Sequence, residues 1–275
     1  MSQPYRAFIV QARAPAFSIR QPQTYQVGAS LPLPQPSTLV CALAYAAALT
    51  ERGPTGSLGD EYVGKLAESM LQVLVRVTAK PAAPLTSSLI TVSRVRALER
   101  SSEEVMKDVK SGRRISDAMV REYYSGRLTI IYVFRNVASI ERAYSWLHLL
   151  GRIGDTESLL SLESVEEALM EPLGTEQYVD TYTPLEWVES YGEGVFSLTR
   201  MCKEELCAKP VRRREDYEKY SSAYIVPLAE RWVGTERRGV LEGAQVHIRT
   251  KRGYAIWRMR GTSTEAKVVL PEVRA

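Results

Sequence analysis

At 275 residues, 45% hydrophobic and 25% charged, with only 17 Gly and 14 Pro, the chain falls outside the disordered, collagen-like and linker classes. It is long enough to bury a sizeable core in one elaborated domain or two small ones. The net charge of +4 is unevenly laid: residues 1–154 hold 19 Lys/Arg against 11 Asp/Glu, residues 155–199 hold 11 acids and no Lys or Arg, and residues 200–275 hold 17 against 10.

The first 50 residues contain Arg6, Arg13 and Arg20 and no acid before Glu51, so an anion approaching them meets no local carboxylate repulsion, and nucleic acid is the natural candidate. Within this stretch Tyr5 to Arg13 alternates, with Phe8, Val10 and Ala12 on one side, which predicts a strand with one buried face. From Ala14 to Pro36 five prolines and Gly28 among Gln, Ser and Thr predict an extended loop that cannot donate a full hydrogen-bond ladder. Ser37 and Thr38 offer an N-cap hydroxyl to a helix over Leu39–Leu49, whose alanines let it lie close to a sheet. That run of 11 residues is the longest apolar one and is about half of what a membrane helix needs. With no signal-peptide pattern at Met1–Tyr5, a cytoplasmic protein without a membrane partner is expected.

Asp60 is placed as the cap of a second helix with the core stripe Val63, Leu66, Ala67, Met70, Leu71 and Leu74. Strands are predicted over Leu89–Leu98 and over Leu128–Phe134, the latter apolar at nearly every position as at a sheet centre. Between them residues 99–127 hold 13 charged residues, with Lys110-Ser111-Gly112-Arg113-Arg114 in the middle and Val105, Met106 and Val109 at helical spacing, which predicts a partly helical projecting arm. A helix over Ala138–Leu150 ends at Gly151, and Leu159–Val165 resumes as a strand.

With the extra helix and the arm set aside, this is the βαββαβ order of an α+β, ferredoxin-like sheet of RNA-recognition-motif type. A soft boundary near 166 divides residues 1–165, a ferredoxin-like domain with its arm that is expected to bind RNA, from a β-rich region over 166–275. There, short strands are expected at Gln177–Thr183, Val195–Thr199, Gln245–Thr250 and Tyr254–Arg258, the last two joined as a hairpin by Lys251-Arg252-Gly253. Cys41, Cys202 and Cys207 lack zinc-site spacing and are read as buried thiols; no metal or cofactor is expected. A single Asn, nine Gln and the dominance of Glu and Arg follow a pattern found in thermophile proteins.

The segment Ser30-Leu31-Pro32-Leu33-Pro34-Gln35-Pro36-Ser37-Thr38-Leu39-Val40-Cys41-Ala42-Leu43 resembles the start of the CRISPR-associated Cas-five family, part of the RAMP superfamily, with Cys41 where many relatives have Gly. Arg152-Ile153-Gly154-Asp155-Thr156-Glu157-Ser158-Leu159 resembles the segment after the second helix in archaeal, subtype I-A members. The resemblance covers roughly residues 5–165. It implies a non-catalytic subunit of the Cascade interference complex that caps the 5′ handle of CRISPR RNA and bridges the backbone (Cas-seven) subunits to the large subunit, with target DNA met through the complex. It also implies that the arm acts as a thumb against the RNA.

A guide strand held by its backbone needs cations for phosphates, amides at a helix start and aromatic groups for unstacked bases. Arg13, Arg20 and Tyr25 on the first strand and loop, Ser37 and Thr38 at the helix start, and Lys110, Arg113 and Arg114 on the arm meet that need. Arg152 in the second family-like segment and Arg249, Lys251 and Arg252 at the expected hairpin join them. Two other readings compete. A metal-independent endoribonuclease processing precursor CRISPR RNA needs an acid and base pair, and only His148 and His247 are present, without a Lys-His dipeptide. A protein-only interaction subunit would use the acidic 155–199 stretch to meet a basic partner.

Overall fold

The computed structural model describes residues 4–272 apart from 20, 22–26, 52–56, 96–100, 113–115, 137–139, 155–157, 210–213 and 236–237. The alternating first segment forms β1 (Tyr5–Phe17), and the proline-rich excursion returns through β2 (Val27–Gly28) to helices α1 (Pro36–Thr50) and α2 (Ser57–Leu71). Then come β3 (Leu74–Pro81), β4 (Leu85–Val95), α3 (Ser102–Lys110), β5 (Ser116–Arg135), α4 (Ile140–Leu147) and β6 (Ser161–Gly174). The remaining chain forms β7 (Glu176–Val179), β8 (Thr183–Pro184), β9 (Val188–Gly194), β10 (Ser197–Cys202), α5 (Arg214–Lys219), β11 (Ser221–Val226), β12 (Leu228–Val233), β13 (Arg238–Gly243), β14 (Val246–Thr250), β15 (Tyr254–Arg260) and β16 (Glu265–Pro271).

One large sheet runs β12-β13-β4-β5-β1-β6-β15-β16, with β2 and β3 also paired to β5, and every pairing except that of β2 is antiparallel. The centre, β3-β5-β1-β6, carries Phe8, Val10, Ala12, Ile130, Tyr132 and Phe134 on the face covered by α1, α2 and α4. Sequence alternation predicted one buried face for β1, yet Tyr5, Ala7 and Ile9 on the other side are buried too, with Ile131, Val133, Met259, Ala266 and Val268. The sheet curls until β16 touches β3. The Gln11 side chain then donates to Thr264 Oγ1 at 2.7 Å, and Lys80 reaches the Glu265 carbonyl. The outer side of β15–β16 shares a further core with β14: Val246, Ile248, Ile256 and Val269.

The structure corrects several sequence expectations. Helix α1 begins at Pro36 with Gln35 as its N-cap, and no side chain caps it. Proline's fixed φ and missing N–H suit the first helical position, so Ser37 and Thr38 are drawn inside the first turn and the capping role assigned to them fails. Asp60 lies within α2, not at its cap. A strand absent from the sequence reading, β3, precedes the arm.

The arm itself is longer than expected: β4 and β5 pair from Thr86↔Ser125 out to Val95↔Ser116, and α3 crowns this ribbon. α3 starts with a capping box in which the Ser101 hydroxyl accepts from Glu104 N–H and the Glu104 carboxylate from Ser101 N–H. Residue 166 falls inside β6, so the sheet runs straight through the expected boundary. β14 pairs with β7 and β9, whereas β15 pairs with β6 and β16, so Lys251-Arg252-Gly253 is a turn between two sheets and not a hairpin tip. Cys41 and Cys207 form a disulfide with Cα atoms 5.4 Å apart, and only Cys202 is the buried thiol expected of all three.

Candidate nucleic-acid interface

The segment after β1 is pinned before it reaches α1. Leu31 N–H donates to the Ile19 carbonyl at 2.8 Å and Gln21 N–H to Ala29 at 3.3 Å, so the proline-rich excursion doubles back on itself. Buried Ser30 ties it down: its hydroxyl accepts from Ile19 N–H (2.8 Å), and its N–H donates to Glu122 on β5 (3.0 Å). Tyr124 also donates to Glu122, at 3.0 Å; burial, then the Glu122 charge, pushes its phenol well up, which keeps it a donor.

The segment between α4 and β6 closes over this excursion. Gly154 sits at φ +78°, and a side chain there would meet Ile19 Cδ1 at 2.5 Å and the Ser18 carbonyl at 2.8 Å, so only glycine permits the approach. The fully buried Ser158 hydroxyl accepts from Ser18 N–H at 3.1 Å, and Ile153 N–H donates to the Ser158 carbonyl at 2.9 Å. Arg152, bridged to Leu159, lays its guanidinium 4.7 Å above the ring of Tyr45, an exposed residue of α1. Two segments more than 100 residues apart in sequence thus become one surface.

At the same end of the sheet Arg13 stands opposite Arg127 of β5 and Ser161 of β6. Both guanidiniums share Glu163, 3.4 Å from Arg13 Nη2 and 2.8 Å from Arg127 Nε, which leaves this exposed trio one positive charge in excess. Farther out, Lys107 and Lys110 are exposed in the last turn of α3 without an acid partner among the described residues. Leu89 on the ribbon is 71% exposed, and Trp232 on β12, two strands from β4, is 64% exposed, its ring edge 3.6 Å from where a side chain on Gly239 would stand.

The remaining candidates divide. Arg20, Tyr25, Arg113 and Arg114 lie outside the described residues. Ser37 is buried in the first turn of α1 and Thr38 half-buried, so neither presents a free hydroxyl at a cap. Arg249 is held by Glu176 on the β7-β14-β9 sheet, its charge answered within the chain, while Lys251 and Arg252 are exposed at the following turn, in a different layer from Arg13 and Arg152. Sequence reasoning passed over Arg127, Ser18 and Trp232.

Six of the eleven carboxylates in the acidic stretch are answered by the chain's own bases. Glu163 binds Arg13 and Arg127, Glu167 binds Arg6, Glu171 binds Arg258, Glu176 binds Arg249, Asp180 binds Lys80 and Glu186 binds Lys203. The histidines are dispersed: His148 packs edge-on to Tyr144 at 4.8 Å, and His247 to Tyr178 at 5.0 Å with Glu176 3.9 Å away. Among the described residues no three His, Cys, Asp or Glu side chains converge as a metal-ligand set, and no helix is long and apolar enough to cross a membrane.

A mostly antiparallel, curled α+β sheet bearing a ribbon arm beside a loop-built cationic surface is the class of protein defined by this geometry. A crystal structure of a CRISPR protein from Archaeoglobus fulgidus shares the fold, at TM-score 0.52 and 14% identity, covering 98% of this chain and all of that one. Two curated relatives named CRISPR-associated protein Cas5 match in sequence. The one from Methanocaldococcus jannaschii is 37% identical over 156 residues, 55% of this chain and 59% of its own length. The one from Thermoproteus tenax is 32% identical over 165 residues, 58% of this chain and 66% of its own. The chain is thus similar to Cas5 proteins over a little more than half of its length. It matches under two thirds of these relatives' lengths, and no protein-family model matches it.

Proposed function

We propose that this chain is a non-catalytic subunit of a CRISPR RNA-guided interference complex of the Cascade type, subtype I-A, which holds the repeat-derived 5′ handle of CRISPR RNA and bridges the backbone and large subunits. The observation that carries this reading is the closing of the second family-like segment, at Gly154 and Ser158, on Ser18 and Ile19, to which Ser30 and Leu31 of the first are hydrogen-bonded, beside the Arg152–Tyr45 stack. A flat cation-covered ring, with unpaired cations farther out on the arm, suits a single strand gripped through phosphates and propped bases. The strand order β3-β5-β1-β6, with helices on one face, supports a ferredoxin-like core. Its opposite face, where RNA-recognition motifs stack bases, is filled here by β15–β16, so the strand has to run over the loops and the arm.

The dispersal of His148 and His247 supports holding over cutting, since general acid–base cleavage needs both groups within hydrogen-bond reach of one ribose. The test is titration of the purified chain, and of the chain reassembled with its complex, with labelled mature guide and precursor RNA at two salt concentrations, followed by denaturing gels. Retention of guide without cutting, with affinity falling steeply with salt, is the expected result. Lys107→Ala and Lys110→Ala should each lower the logarithmic salt slope by about 0.7 if each meets one phosphate. Cleavage at the repeat would replace this reading with the endonuclease one, and absence of binding in both settings would overturn it.

A further inference from the structure

Between β10 and α5, the 3-10 segment Glu204–Ala208 packs against both α1 and α2 and is fastened at two points three residues apart. Glu204 accepts from Arg76 of β3 at 2.7 Å, and Cys207 is bonded to Cys41 of α1, a link between positions 166 residues apart. Arg76 is fully buried beneath the rings of Tyr182, Tyr224 and Trp187, its guanidinium carbon 5.1 to 5.6 Å from their centroids. Its hydrogen-bond partners among the described residues are Glu204, the Tyr182 carbonyl and the Tyr224 hydroxyl, so Glu204 is the one acid bonded to this buried guanidinium. Stripped of its partner, such a charge is strongly destabilising.

We propose that the Cys41–Cys207 disulfide is a thiol-reversible fastener that keeps Glu204 seated on the buried Arg76, so that the redox state of this one bond sets how firmly the 204–208 segment closes over α1, α2 and β3. Each anchor raises the effective concentration of the other, because both sit on a single turn of backbone. Cys41 and Cys207 are half-buried and within reach of a small dithiol. The reductant gives two electrons and two protons, leaving thiols at Cys41 and Cys207, and becomes a disulfide itself. Cys202 is a bystander: it is fully buried, and burial pushes its thiol up to about 11, so little thiolate is present to exchange. Cys41 also lies one helical turn before Tyr45 on the same side of α1, so the fastener holds the stripe that carries the Arg152 stack.

The test starts with thiol counting on unfolded chain by alkylation and mass spectrometry. One reactive thiol before reduction and three after are expected; three without reductant would overturn the proposal. Thermal unfolding with and without a dithiol is then compared in wild type and in Glu204→Gln. Closing so long a loop predicts that reduction lowers the wild-type midpoint by about 10 °C or more. If the anchors act together, reduction lowers the midpoint less in Glu204→Gln than in wild type, where it also loosens the Glu204–Arg76 pair, and hydrogen exchange over 203–209 accelerates on reduction of the wild type. Cys41→Ser should behave as reduced wild type and serves if Glu204→Gln does not fold, through its exchange over 203–209. Equal shifts in both backgrounds, or unchanged exchange in Cys41→Ser, would show that the bond does not seat the segment.

Discussion

Replacing Gly154 with alanine tests whether the second family-like segment depends on its close approach to Ser18 and Ile19, which in turn hold Ser30 and Leu31 of the first. Two costs follow from the structure. A non-glycine residue at φ +78° carries roughly 1 kcal/mol of backbone strain. The new methyl would also stand 2.8 Å from the Ser18 carbonyl and 2.5 Å from Ile19 Cδ1; the isoleucine tip can rotate, but the carbonyl cannot yield without moving the backbone that donates to Ser158. Losing that buried hydrogen bond adds about 1–1.5 kcal/mol. The sum, about 2–2.5 kcal/mol, corresponds to a drop of about 4–10 °C in Tm for a chain of this size. Differential scanning fluorimetry gives the shift, and guide RNA titration gives the functional effect, expected as a loss of affinity larger than for an exposed control such as Gly192→Ala, whose site has open space around it. A Tm within a degree of wild type together with unchanged RNA affinity would refute the claim that this approach builds the interface.

Other consequences can be measured separately. Tyr45→Ala and Arg152→Ala should each weaken handle binding by about tenfold or more, the scale of one lost stacking contact, and the double variant should lose less than the two combined because they form one unit. Arg76→Met should cost about 3–5 kcal/mol by chemical denaturation, because Glu204 and the Tyr182 carbonyl lose their donor; adding Glu204→Leu should recover part of that loss. Hydrogen bonds from Arg6 hold the Glu167 carboxyl below the usual range, and the Thr262 backbone N–H does the same for Glu166. A depressed folded pKa means that their stabilisation is complete above the unfolded value near 4.5 and is lost as pH falls through the folded values. Thermal midpoints should therefore hold steady from pH 7 to about 5 and fall below that, and Glu167→Gln should flatten the acid limb.

Much of the central fold was legible locally. Alternation in Tyr5–Arg13, the apolar run Leu128–Phe134 and the helical spacing of Ile140 to Leu147 located β1, β5 and α4, although β1 is buried on both faces and not on the one its alternation implied. The helical spacing of Val105, Met106 and Val109 likewise gave α3, although the ribbon beneath it was read too short because Leu89 and Ile90, exposed on the arm, look like core residues in a sequence.

Long-range events were out of reach. Residues 155–199, read alone, are a block of 11 negative charges inviting a basic partner. Once folded, β6 lies between β1 and β15 and its carboxylates meet Arg6, Arg13 and Arg258, whose positions in the chain are distant by roughly 90 to 160 residues. The pairing of Cys41 with Cys207, the filling of the second sheet face by β15–β16 and the seat of Ser18 against Gly154 share that character. Composition and periodicity fix which way a side chain wants to face, because burial is decided by the nearest few residues of backbone. Which distant segment arrives to meet it depends on how the sheet curls and closes, and that is a property of the whole chain.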